Sequence, residues 1–353
     1  MRLLFVKLGS IGDIVHTLPA LAAVRNSCPD AEISWVVEER SAEILRNNPF
    51  IENLIEVDTK SLRGRGIIDG VLMDATRQVK DLRQFDFDVT IDFQGLIKSG
   101  LISRLSGAPR RIGFARTALR ESSARVFYTE SVEVGERVHV IKKNLALVEG
   151  ALGIKCPENH LEFPIHTSAE HRTEAAEIIG RAGGDFAVLN PAGGWVTKLW
   201  HPEKFGGLAD RLWREKRITS VIATATGEME LAERAVVART TGHIVLAQPS
   251  LKGFYELVKH AAVYVGGDTG PTHLAVAAGA PVVGLFGPTE WWRNGSLNPD
   301  DICVEREDIG CRVACHRRTC TNWICMDSDV DVVYDAVDAR MQRVSSLVDT
   351  IKV

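Results

Sequence analysis

The stretch YVGGDTGPTHLAVAAGAPVVGLFGPT, residues 264–289, contains a short strand, a turn, an alanine-rich helix and a second strand. The same alternation runs outward in both directions. Upstream lie strands at DFAVLNP (185–191), ITSVIATA (218–225), HIVLAQ (243–248) and VYVGGD (263–268), separated by helices at 202–216, 228–240 and 251–261. Nearer the start are strands at RLLFVK (2–7), EISWVVEE (32–39), NLIEVD (53–58) and FDVTIDFQ (87–94), with a helix over 14–26 and another over 137–153. Short apolar strands alternating with amphipathic helices predict parallel sheets covered on both faces. The polar, proline-bearing stretch IKCPENHLEFPIHTSAE (154–170) breaks the pattern and reads as a linker. It divides the chain into α/β domains over 1–165 and 172–329, followed by a long amphipathic helix over 330–353.

At 353 residues the chain is long enough for two domains. Its 45% hydrophobic and 25% charged residues are those of a globular protein, and a net charge of −4 argues against bulk nucleic-acid binding. No apolar run approaches the ~18–20 residues that span a bilayer. MRLLFVKLGSIGD reads as a first buried strand and not as a signal peptide, since Lys7 interrupts the apolar run, so a cytoplasmic location is expected. Five of seven cysteines fall at Cys303, Cys311, Cys315, Cys320 and Cys325. A reducing compartment disfavours disulfides, and C-x3-C-x4-C-x4-C is not a paired C-x2-C zinc pattern, so reduced thiols in an irregular loop are expected.

Chemistry concentrates at four strand-to-helix turns. In VKLGSIGDIVHTLPAL a glycine turn carries Gly12 and Asp13; the aspartate either caps the helix or stands free as a general base. The turn is neither G-x-G-x-x-G nor a P-loop. In NPAGGWVTKLWHPEKF, Thr197 and Lys198 follow a strand end, where a lysine can neutralise phosphate as a point charge. In GGDTGPTH, Asp268, Thr269, Gly270, Pro271, Thr272 and His273 occupy the mouth of a helix whose N-terminus suits a diphosphate. In TATGEMELAERA, Glu228 or Glu230 could accept bonds from ribose hydroxyls, or simply favour the helix dipole. Asp92, Gln94 and Lys98 mark a further turn. A basic segment from Arg104 to Arg125, containing Arg110, Arg111, Arg116 and Arg120, and a smaller cluster of Lys60, Arg63 and Arg65, reads either as a solvated face or as a site for an anionic partner.

Together, VKLGSIGDIVHTLPAL, DFQGLIKSG, NPAGGWVTKLW and GGDTGPTHLAVAAGAPVVGLFGPT resemble the ADP-heptose:lipopolysaccharide heptosyltransferases of glycosyltransferase family 9, with a lean to those that add heptose to Kdo. The cysteine-bearing CRVACHRRTCTNWICMDSDVDVV also resembles a tail of many members. The resemblance implies a GT-B fold, two Rossmann-like domains with parallel sheets facing a central cleft. The N-terminal domain would take the acceptor and the C-terminal domain the nucleotide sugar, with the final helix packing back on the first domain. It implies an inverting transfer of heptose from ADP-heptose to a Kdo-containing inner core, with no cofactor and no metal. Asp13 falls on the general base and Lys198 on the lysine that contacts donor phosphates. Gly12, Thr197, Glu228, Glu230, Asp268, Thr269, Gly270, Pro271 and His273 are the expected donor contacts. Arg63, Asp92, Gln94, Lys98, Arg120 and His139 are the expected acceptor contacts. A monomer working peripherally at the cytoplasmic face of the inner membrane follows from such an acceptor. A family member with another donor or acceptor, or a silent sugar-nucleotide binder, is the alternative.

Overall fold

Strand β1 (Arg2–Val6) is apolar at every position after the first, and its side chains are almost wholly buried. A strand buried on both faces belongs at the centre of a sheet, and β1 sits there. The structure, a computed structural model, describes residues 1–58, 81–157, 160–225, 227–241, 243–311, 315 and 317–351. Arg63, with Lys60 and Arg65, lies outside the described residues. The chain divides into two units, 1–166 and 167–353.

In the first unit β1 pairs in parallel with β2 (Glu32–Glu38) and β4 (Val89–Asp92), Leu3 facing Ile33 on one side and Val89 on the other. β3 (Asn53–Val57), β5 (Arg110–Phe114) and β6 (Glu130–Val132) complete the order β3-β2-β1-β4-β5-β6. The helix expected over 14–26 is two: α1 (Ile11–Val15) and α2 (Leu18–Ser27). Pro19 has no N–H to donate to residue 15, so the first helix cannot run through it. α3 (Ile97–Leu105) and α4 (Val140–Leu152) follow β4 and β6.

The second unit repeats the plan. β7 (Phe186–Asn190), β8 (Thr219–Ala223), β9 (Ile244–Ala247), β10 (Val263–Gly267), β11 (Val282–Phe286) and β12 (Ile302–Glu305) form a parallel sheet in the order β12-β11-β10-β7-β8-β9. Counted within its own unit, this is the order of the first sheet and that of dinucleotide-binding folds, which hold ligands beyond the carboxyl ends of the strands. The connecting helices are α5 (Ala169–Ala182), α6 (Pro202–Lys216), α7 (Met229–Val237), α8 (Leu251–Val258), α9 (Gly270–Ala277) and the short α10 (Trp291–Asn294).

The final helix α11 (Val330–Ile351) meets α6 and strands β10, β11 and β12. Val333, Tyr334 and Val337 join Trp200, Phe205 and Leu212 in the core of the second unit. These contacts anchor the helix in the core of the second unit. Arg340 fastens it. Its Nε donates to Asp301 Oδ1 at 2.8 Å, and the same oxygen accepts Val282 N at 3.0 Å. Both side chains are at most 5% exposed. Arg340→Ala strands a buried carboxylate, and the expected loss is about 3–5 kcal/mol of stability. Denaturant unfolding measures it, and a loss below about 1 kcal/mol, the worth of a surface pair, would show the pair to be incidental.

Candidate active site

In the first unit, the turn after β1 places Ser10 at the N-cap of α1 and Asp13 three residues on. Asp13 Oδ2 accepts Ser10 N at 2.9 Å and the Ser10 hydroxyl at 3.2 Å. Oδ1 lies 3.8 Å from the buried Lys7 Nζ, which donates to Phe93 O at 3.1 Å. Asp13 thus caps the helix with one oxygen, yet its side chain remains 42% exposed. Capping and a reactive role are compatible here. Gly12 is buried in the first turn of α1.

Along the same carboxyl edge, Gln94 Oε1 accepts Leu8 N at 3.2 Å and so ties the turn after β4 to that after β1. Lys98 Nζ and Arg40 Nε each donate to the buried Glu38, both at 2.7 Å. Arg120 is exposed beside this rim, next to Glu121, which accepts Ile97 N at the start of α3.

Two expected acceptor contacts are corrected. Asp92 is fully buried; it accepts Gln94 N, Gly95 N and the Tyr128 hydroxyl, the last at 2.7 Å. Burial raises its pKa, opposed by the bonds from Tyr128, Ser99 and the turn. Burial and the Asp92 charge in turn push the Tyr128 hydroxyl far up. Asp92 positions the turn and offers no free oxygen. His139 is also buried, accepting Ile141 N through Nδ1 at the start of α4.

The basic segment divides as well. Arg110 pairs with Glu130, Arg111 donates to Phe127 O and Ala108 O, and Arg125 donates to Tyr128 O. These three hold β5, β6 and the turn between them, leaving Arg104, Arg116 and Arg120 exposed.

In the second unit the centre is Asp268, at the end of β10. Its Oδ2 accepts Lys198 Nζ at 2.5 Å and Thr289 Oγ1 at 2.7 Å. Its Oδ1 accepts Asn294 Nδ2 at 2.5 Å and lies 3.2 Å from His273 Nε2. Burial alone would raise this carboxyl; the bond and charge of His273, then Lys198, overcome it and hold it far below the usual carboxylate range. Asp268 is 3% exposed and engaged on both oxygens, so it positions Lys198 and does not reach out to sugar hydroxyls.

Lys198 Nζ also donates to Asp268 O at 3.3 Å and lies 4.4 Å from the centroid of the Trp195 ring. The turn carrying it can approach because Gly267 has no side chain: a Cβ there would sit 2.7 Å from Lys198 O. Gly193 serves likewise, a Cβ there falling 2.8 Å from Thr269 Cγ2. Gly270 and Pro271 open α9, whose first-turn amides have no acceptor within the helix. A cation and a helix N-terminus therefore adjoin, the combination that binds a diphosphate.

Other expected donor contacts have internal duties. The Thr272 hydroxyl donates to Gly267 O, and the Thr197 hydroxyl donates to Arg317 O at 2.6 Å. The Thr269 hydroxyl is buried with no hydrogen-bond partner among the described residues. Glu228 accepts Ala225 N at 3.3 Å at the start of α7, and Glu230 is exposed two residues on. Sequence reasoning missed Thr289 and Asn294, for which GPTEWWRNG (287–295) carried no recognisable signal. Among the described residues, no group of three or more His, Cys, Asp or Glu side chains is arranged to hold a metal ion.

The family model of glycosyltransferase family 9 (heptosyltransferase) matches residues 75–323. The chain belongs to glycosyltransferase family 9. Lipopolysaccharide heptosyltransferase 1 of Pseudomonas aeruginosa is 31% identical over 91% of this chain and 88% of its own length. An E. coli heptosyltransferase solved with ADP superposes with a TM-score of 0.77 and 24% identity, covering 96% of this chain and all of that one. The E. coli enzyme solved with ADP-2-deoxy-2-fluoro heptose is 26% identical, with a TM-score of 0.72 over 86% of this chain and 93% of that one. This family 9 member is thus a glycosyltransferase of the GT-B class, built from two parallel-sheet units. No helix among the described residues is long and apolar enough to cross a membrane.

Proposed function

We propose that this family 9 enzyme transfers L-glycero-D-manno-heptose from ADP-heptose to the Kdo-containing inner core of lipopolysaccharide, with inversion and without a metal. The observation that carries the reading is Lys198, held by Asp268 beside the N-terminus of α9 in a chain related to heptosyltransferase 1. Relatives solved with ADP and a fluorinated ADP-heptose support the choice of donor.

In the proposed reaction, Asp13 removes the proton of the acceptor hydroxyl as that oxygen bonds to the anomeric carbon. The bond from that carbon to the ADP oxygen breaks on the opposite face, and its electron pair leaves with ADP. The transition state is oxocarbenium-like, as in glycoside hydrolysis. Lys198 and the first-turn amides of α9 stabilise the charge gathering on the diphosphate. Lys98 and Arg120 give the first unit cations for an anionic acceptor. The chain works as a monomer in peripheral contact with the inner membrane; sedimentation with vesicles carrying Kdo-lipid A, and the absence of sedimentation without them, separates this from simple solubility.

A panel of ADP-heptose and other nucleotide sugars against Kdo-lipid A and heptosylated acceptors tests the assignment. Turnover is expected for ADP-heptose with Kdo-lipid A. Turnover confined to another pair would reassign donor or acceptor, and donor binding without turnover on any acceptor would make the chain a binder. Since lysine and helix terminus replace a Lewis acid, rates with and without added Mg2+ or Mn2+ should agree. A loss of about tenfold or more, the least a catalytic metal would supply, overturns the metal-free reading.

A further inference from the structure

Four thiols from one irregular loop, Cys311, Cys315, Cys320 and Cys325, line a single cavity of about 20 Å3 beside Thr197 and Gly287. None is in a disulfide. We propose that these four cysteines form a tetrahedral thiolate site for one thiophilic divalent metal ion, Zn2+ or Fe2+, which fixes the loop against the Lys198 turn.

The donor set is that of a structural site: four sulfurs and no open position. The volume suits one ion, being little more than the roughly 10–15 Å3 that a water needs. Apart from the turn at Ile324–Met326, the described residues between β12 and α11 have no helix or strand, so the loop has little backbone bonding of its own to fix it. Asn322 N donates to Cys320 Sγ at 3.4 Å, the amide-to-sulfur bond that steadies thiolate ligands. A Cβ on Gly287 would lie 3.1 Å from Cys325 Sγ, so only glycine leaves the sulfur its space there. Arg317, on the cavity wall, offsets the charge of a four-thiolate complex.

The thiols do not yet converge on one point. Rotation about their Cα–Cβ bonds must bring them inward as they ionise. Binding is balanced as one M2+ plus four thiols giving one complex of charge −2 and four protons. The site takes no part in bond making, so the metal-free transfer is unaffected. Its consequence rests on the proposed role of Lys198. Thr197 Oγ1 donates to Arg317 O at 2.6 Å, and Trp323 Nε1 donates to Thr197 O at 3.2 Å. The loop thus grips the residue preceding Lys198 from both sides.

The test is metal content, which is independent of activity. The full chain is purified without metal-affinity media and analysed by plasma mass spectrometry, before and after anaerobic incubation of the reduced protein with equimolar Zn2+ and desalting. About one Zn or Fe per chain is expected, with visible absorption on oxidation in air if iron is the ion. In Cys320→Ser with Cys325→Ser the content should fall at least about tenfold, whereas Cys28→Ser with Cys156→Ser should keep it. If the first double variant does not fold, Cys320→Ser alone and mercurial release from the unmodified chain decide. Less than about a tenth of an ion per chain after both treatments overturns the proposal. So does equal loss in the Cys28/Cys156 control, or disulfides within 311–325 in protein alkylated at lysis.

Discussion

Asp13→Asn should lower kcat by about 10²- to 10⁴-fold, the range that general-base catalysis supplies, while the affinity for the ADP-sugar stays unchanged. The structure makes this substitution unusually clean. Ser10 N can donate to the amide oxygen of asparagine as it does to Asp13 Oδ2, so the cap of α1 persists. What is lost is the negative charge facing Lys7 and, with it, the capacity to accept a proton. Asp13→Ala would remove cap and base together and cost about 1 kcal/mol of stability besides. Single-turnover rates, donor titration and thermal unfolding, run on both variants, separate the two roles. An asparagine variant with wild-type turnover would leave Asp13 only its cap.

The second large effect is a crossing of phenotypes at the Lys198–Asp268 pair. Lys198→Ala should reduce kcat/KM about 10²- to 10³-fold, as loss of one electrostatic stabiliser of a developing charge does. It should disturb the fold little, since Asp268 keeps Thr289, Asn294 and His273. Asp268→Ala should instead cost about 2–4 kcal/mol, because it leaves a half-buried ammonium and several buried polar groups without their common acceptor. Because the Asp268 pKa is depressed in the fold, its contribution is fully present above an unfolded carboxylate's pKa of about 3.9 and is lost as pH falls below it. Unfolding free energies of the wild type and Asp268→Asn, followed from neutral pH down through that range, should converge. If Lys198→Ala left donor affinity and rate unchanged, the lysine would have no part in the site.

The strands were legible wherever burial on both faces wrote an apolar run, as in RLLFV, EISWVVE and FAVLN. Those missed were β5, β6 and β12. RRIGF opens with two arginines whose polar partners are backbone carbonyls and Glu130, so it reads as a charged surface. ESV is too short to show a period. At the site, glycine turns and their charged residues marked the strand ends at which Asp13, Lys198 and Asp268 stand. They did not announce which carboxylate was already spent. Asp268 meets Thr289 and Asn294 only because β10 pairs with β11, a tertiary event with no trace in local pattern. Asp92 and His139 misled for a related reason: a polar residue at the end of a strand or the start of a helix looks alike whether it faces solvent or a neighbouring turn.

The repeated strand order also sets a timetable for synthesis. In each unit the leading strand occupies the centre and must wait for a distant partner, Leu3 for Val89 and Ala187 for Val263. Pairing over such separations is slow, so neither sheet can close early. The first, however, has all its strands once Val132 has emerged from the ribosome, before β7 begins. Nascent chains arrested beyond residue 166 should therefore already resist protease through their first unit, whereas the second unit gains protection only after β12, and its core only once α11 supplies Val333 and Val337. The final helix makes the half that holds Lys198 the last to mature.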